Sequence, residues 1–240
     1  MYTLFNTHIF KNPQQYIIVF RNIFIRSINN PKDSSKIKSQ QYTKYFILDF
    51  EATCDNGPHL LRPQEIIEFP CIAVNFSNGY FERVSCFHSY VKPVINPNLT
   101  EFCTQLTGIS QNEINESPNF DKVFQEFCKW YERQSSIVQD KCIIVTCGNW
   151  DLGRILIEQC KLSNISIPNF MHKWINIKKL YAYTLGNYPY GIKNMMISLN
   201  LKHTGSFHSG IDDCENIVSI MNCLAQKGCI FKSTDRLINV

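Results

Sequence analysis

Residues 45–53 read YFILDFEAT: four apolar or aromatic side chains in a row, then two acids separated by a single phenylalanine. A strand turns successive side chains to opposite faces, so Asp49 and Glu51 share one face. Phe46, Ile47, Leu48 and Phe50 are apolar at nearly consecutive positions, the pattern of a strand buried on both sides. Two carboxylates crowded there repel each other and lose hydration, so at least one keeps its proton unless a cation compensates. A bound metal is the economical explanation. The competing one is that the strand ends at Leu48 and the acids are solvated, and the pair alone does not separate the two.

Outward from this strand, EIIEFPCIAVNF from Glu65 and FERVSCFHSYVKP from Phe81 read as two further strands, joined by Gly- and Pro-bearing turns. Their short connections make the three strands antiparallel neighbours. Helical signals follow. Ser110 and Glu113 have capping-box spacing, and Ser117 with Pro118 reads as a helix start. Beyond it, Phe120, Val123, Phe124, Phe127 and Tyr131 fall on one helical face. CIIVTCG from Cys142 is a buried strand, LGRILIEQCKL from Leu152 a helix, WINI from Trp174 a strand, and a last helix starts near Ile211 with Gly228 past its end. The expected fold is α/β: a mixed five-stranded sheet, three antiparallel strands then two parallel ones, flanked by helices, of the ribonuclease H type.

With 240 residues, 44% of them hydrophobic, the chain can bury one substantial core plus an extension. Residues 1–43 read as an amino-terminal extension, 44–233 as the folded domain and 234–240 as a tail. The first 32 residues hold no acid, a composition shared by disordered extensions and organelle-targeting segments. The net charge of +4 belongs to that end: residues 1–44 carry seven Lys/Arg and one Asp, leaving 17 basic and 19 acidic side chains beyond them. Overall charge therefore does not mark a polyanion binder. Eleven cysteines without a CxxC pair argue for free thiols in a reducing compartment and against a zinc site. No run of apolar residues is long enough to span a bilayer.

Asp151 follows Trp150 where a buried strand hands over to a helix, and His208 and Asp213 flank the start of the last helix in HSGIDD. Singly, each aspartate suits a helix cap and the histidine a surface role. Jointly, acid-x-acid on the first strand, Asp after a later strand and His-x4-Asp near the end form a far less accidental pattern. These segments resemble the DEDDh exonucleases: FILDFEATC as first motif, CGNWD as second and HSGIDD as third. QEIIEFP at 64–70, FCTQLTGIS at 102–110, KWINIKK at 173–179 and GSFHSGIDD look like the branch containing the histone-mRNA 3′ exoribonuclease and the enhanced-RNA-interference nucleases. The likeness runs from Lys44 to Phe231.

That resemblance implies two divalent cations, Mg²⁺ or Mn²⁺. Asp49 would bridge them, Glu51 and Asp213 would bind one, and Asp151 would hold the other, partly through water. His208 would take a proton from the attacking water; Asp212 and His203 have the wrong spacing for these roles. It also implies that Ala52, Thr53, Trp150 and Leu152 contact the terminal nucleotide. Separately, Lys173, Lys178 and Lys179 suit either phosphate contacts or a solvated helix face. The expected activity is 3′-to-5′ exoribonuclease trimming of single-stranded or shortly overhanging RNA 3′ ends, releasing nucleoside 5′-monophosphates. A DNA-directed exonuclease of the same fold and a non-catalytic RNA-binding adaptor are the alternatives. The expected location is cytoplasm or nucleus, with the mitochondrion an option because of the acid-free amino terminus.

Overall fold

The computed structural model describes residues 38–57, 61–136 and 141–237. The targeting reading of the amino-terminal stretch falls outside them. Strand β1 (Lys44–Leu48) is the centre of the sheet, antiparallel to β3 (Ile66–Ser77) on one side and parallel to β5 (Cys142–Thr146) on the other. β3 also pairs with β4 (Tyr80–Tyr90), and β5 with the parallel β6 (Lys173–Asn176). This is the mixed arrangement the sequence implied, three antiparallel strands and two parallel additions. Two two-residue strands enlarge it: β2 (Glu51–Ala52) on β3, and β7 (Asp235–Arg236) on β6.

β1 is apolar on consecutive residues because it feeds two layers. Tyr45 and Ile47 face α7 (Gly210–Gln226), meeting Cys214, Ile217, Met221 and Leu224. Phe46 and Leu48 face α3 (Phe120–Ser135), where the Phe46 ring lies 4.4 Å from that of Tyr131 and edge-on to Trp130 at 5.6 Å. Each such buried side chain contributes roughly 1.5–3 kcal/mol. The helix around Phe120 is legible from its spacing, and Phe120, Val123, Phe124, Phe127 and Tyr131 are all buried.

Several boundaries differ from expectation. The first strand does not run unbroken through Glu51: it stops at Leu48, and Glu51–Ala52 pair again with β3, with a shift in register between the two residues. Ser117 closes α2 (Gln111–Glu116), and Asn119 is the residue that starts α3. The Ser110–Glu113 capping box is present in full at the head of α2. The stretch after Trp150 opens with a π-helical turn, Asp151–Ile155, before α4 (Leu156–Leu162). Three helices had no clear signal: α1 (Glu101–Thr107), α5 (Ile177–Leu185) and α6 (Ile192–Ser198) are short, and α5 follows β6 with no intervening turn residue.

Both margins set apart in the sequence take part in the fold. Gln40 donates to the carbonyl of Cys229 at 3.0 Å and accepts from the Phe231 amide at 2.7 Å. At the other end, Thr234 accepts from the Asn176 amide at 2.7 Å, and Asp235 pairs with Lys179.

Candidate active site

Asp49 comes immediately after β1, Glu51 opens β2, and Asp213 lies in the first turn of α7. The fold brings one oxygen from each of these three carboxylates to within 4.8 Å of the others. Asp151, at the start of the π-helical turn, is 3% exposed, and its Oδ1 accepts from the Phe50 amide at 2.9 Å. It thus sits against the backbone between Asp49 and Glu51 instead of within the tight trio. Burial, then repulsion from Asp151, Glu51, Asp213 and Glu68, raises the Asp49 carboxyl well above the usual range. Burial, then Glu68, Asp213 and Asp151, pushes Glu51 up to about 9. Asp151 rises through burial to about 6, held back by the hydrogen bond from Phe50. Burial also raises Asp213, against the bond from the His208 amide and the nearby His208 and His203.

Four mutually repelling carboxyls drawn this close are what a divalent cation stabilises. A second sign points the same way: Asp213 Oδ1 is buried with no hydrogen-bond partner among the described residues, while Oδ2 accepts from the His208 amide at 3.1 Å. An all-oxygen donor set of this kind suits a hard ion. The residues present therefore fit divalent metal, with Asp49, Glu51 and Asp213 as its nearest donors.

The position of Asp213 depends on a residue that motif spacing did not single out. Glu68 of β3 is 2% exposed; it accepts from the Gly210 amide at 2.9 Å and the Ile211 amide at 3.1 Å, and lies 2.8 Å from His88 Nε2. These two amides are orphan donors at the head of α7, and an anion there also meets the positive end of the helix dipole. Glu68 thereby ties the helix bearing Asp213 to the sheet bearing Asp49. A Cβ on Gly210 would come within 2.5 Å of the Asp49 carbonyl oxygen, so only glycine permits this approach. The one available clue was an acid in the otherwise apolar IIEFP run.

Just before the helix, His208 has φ +61°, a left-handed conformation that is uncommon outside glycine. Its amide is spent on Asp213 and its ring is exposed. Asp212 accepts from the Ser206 amide at 2.9 Å and closes the preceding loop. His203 lies closer to the site than its spacing implied, with Nε2 3.9 Å from Asp213 Oδ1.

The profile of the exonuclease family (RNase_T) matches residues 46–221, which contain all five residues of this constellation. The chain belongs to that family. ERI1 exoribonuclease 3 of Homo sapiens is 43% identical to this exonuclease-family chain over 199 residues, covering 82% of it and 58% of the relative. The chain thus spans well under two thirds of that relative's length. Among solved structures, the nuclease domain of 3'hExo, a DEDDh family member bound to rAMP, is 33% identical with a TM-score of 0.76, covering 83% of this chain and 100% of that one. Cell-death related nuclease 4 (CRN-4) is 31% identical with a TM-score of 0.74, over 81% of this chain and 68% of that one.

In this exonuclease domain the trio opens into a cleft of about 420 Å³, lined by Asp49, Glu51 and Asp213 and by Ile192, Lys193, Phe207 and His208. The four residues expected to meet a terminal nucleotide do not line it. Leu152 is fully buried in the core under α3, because the π-helical turn aims it inward beside Ile155. The Thr53 hydroxyl accepts from the Glu65 amide at 2.9 Å, and Ala52 is 6% exposed in the same core. Trp150 alone keeps part of its surface. Among the three lysines, Lys179 is committed to Asp235. The cleft-lining Lys193 went unnoticed because no motif surrounds it, and Phe207, although inside GSFHSGIDD, was given no role of its own.

Proposed function

We propose that this chain is a divalent-metal-dependent 3′-to-5′ exoribonuclease that removes nucleoside 5′-monophosphates from RNA 3′ ends. The observation that carries the reading is the convergence of Asp49, Glu51 and Asp213 oxygens within 4.8 Å at the floor of an open cleft that His208 borders. Relatives named exoribonucleases and a structural neighbour bound to rAMP, a nucleoside monophosphate, support it.

Asp49, placed between the other acids, would be shared by two ions; Glu51 and Asp213 would complete the site of one, and Asp151 would serve the other. When bound, Mg²⁺ or Mn²⁺ supplies Lewis acidity to the phosphoryl oxygens and acidifies a water. The protein residues then orient and move protons. The exposed His208 ring accepts the proton of the attacking water and, being on a loop, can release it to solvent. Its backbone bond to Asp213 holds that loop at the carboxylate, so base and ion ligand stay together.

The test is product sizing on 5′-labelled RNA with Mg²⁺ or Mn²⁺ and Asp49→Ala as control. Stepwise shortening in the wild type and none in the variant is expected. RNA binding without shortening would favour an adaptor, and equal trimming of single-stranded DNA and of RNA ending in a 2′-deoxy nucleotide would favour a DNA-directed enzyme.

A further inference from the structure

Gln159–Ile211, the 53 residues leading into the catalytic helix, contain six lysines and no aspartate or glutamate, although the chain as a whole holds 20 acids. This segment supplies one wall of the cleft through Gly191, Ile192, Lys193, Phe207 and His208. Immediately outside that wall, the loop between α5 and α6 exposes two large rings, Tyr188 at 59% and Tyr190 at 91%. The loop is held in shape: the Lys178 ammonium sits 5.4 Å over the Tyr188 ring and donates to the Tyr190 carbonyl at 2.8 Å. On the cleft side, Lys193 lies 5.4 Å over the Phe207 ring, whose centroid is 3.7 Å from that of His203.

Exposed tyrosines carry an apolar face that water solvates poorly, and apart from the Lys178 contact with Tyr188 these two rings are left open to solvent among the described residues. Alternating aromatic faces and ammonium groups fit a strand whose bases are unstacked and whose backbone is anionic. We propose that the Tyr188–Tyr190 loop, with Lys178 and Lys193, is a platform for single-stranded RNA lying 5′ of the scissile phosphate. This rests on the exoribonuclease reading for its polarity. Tyr190 directly precedes Gly191 of the cleft, so a strand whose 3′ end reaches the carboxylates passes this loop within its next few nucleotides. The platform favours long unpaired tails over short or fully paired ends, because only unstacked bases offer a free face to tyrosine.

The experiment compares the 240-residue chain with its double variant Tyr188→Ala/Tyr190→Ala on unstructured RNAs of about 12 and about three nucleotides, lengths that do and do not reach beyond the cleft. With Mg²⁺, KM for the long RNA is expected to rise about tenfold at unchanged kcat, in line with loss of base stacking, while the short RNA is unaffected. No change for the long RNA, or an equal rise for both, would overturn the platform. If the wild type shortens no RNA, the exoribonuclease reading fails, and fluorescence anisotropy of the long RNA in Ca²⁺ decides the platform by itself. Affinity about tenfold weaker in the double variant supports it, and equal affinities reject it. Both tyrosines are exposed, so the variant is expected to melt as the wild type does.

Discussion

Asp49 shows how a single position trades stability for chemistry. Its carboxyl is pressed by burial and four neighbouring acids, so replacing it with the isosteric amide removes repulsion and leaves the packing. Asp49→Asn is expected to raise the melting temperature of metal-free protein by a few degrees, equivalent to about 1–2 kcal/mol, and to abolish the stabilisation by Mn²⁺. RNA shortening should fall by at least about a thousandfold, or about 4 kcal/mol of barrier. Thermal melts and a timed digestion check both halves. An unchanged Mn²⁺ shift would remove Asp49 from the metal site.

The same residues set a pH dependence. A carboxyl whose folded-state pKa lies above its unfolded value stabilises the fold fully below the unfolded value and loses that contribution as pH rises through the folded one. For Glu51 this window extends from the ordinary glutamate range up to about 9, and for Asp151 from the ordinary aspartate range up to about 6. Metal-free protein should therefore melt at progressively lower temperature between about pH 5 and pH 9, and Mg²⁺ should restore more at the upper end than at the lower. A metal-induced shift independent of pH would contradict the crowding of the acids.

At the scale of elements, the decisive contact joins β3 to the head of α7. Glu68→Ala leaves the Gly210 and Ile211 amides without their acceptor and His88 without its partner. A loss of about 2–4 kcal/mol in urea unfolding is expected, since buried donors lose a charged acceptor. Gly210→Ala forces a methyl group to within 2.5 Å of the Asp49 carbonyl, displacing strand end and helix relative to each other. We expect it to cost about 1–3 kcal/mol of stability and to lower kcat more than it raises KM, because Asp213 moves with the helix. A Gly210→Ala protein with wild-type kcat would show that the approach tolerates the shift.

For the whole molecule, the segment from Thr234 to Leu237 is a structural margin and not a free tail. Ending the chain at Ser233 removes β7, the Thr234 bond to Asn176 and the Asp235 bonds to Lys179 and Asn149. Losing about 2–3 kcal/mol would lower the melting temperature by about 5–10 °C in a domain of this size, measurable by calorimetry. An unchanged melting temperature would make the edge strand dispensable.

Much of this fold was legible because its signals are local. The apolar run at Tyr45–Leu48, the Ser110–Glu113 capping box and the one-sided spacing from Phe120 to Tyr131 each report which way a residue faces within its own element. The order of the acidic motifs along the chain likewise needs no coordinates. What periodicity cannot convey is what lies opposite a face, and there the tertiary structure decided. It turned Ala52, Thr53 and Leu152 into the core, set Glu68 beneath α7, and brought Lys193 to the cleft from a stretch without a motif, beside Phe207. It also joined Asp213 to Asp49 and Glu51 across more than half the chain. The physical reason is that a backbone repeat fixes direction within one segment, whereas depth, neighbours and crowding of charge arise only when distant segments pack and exclude water together.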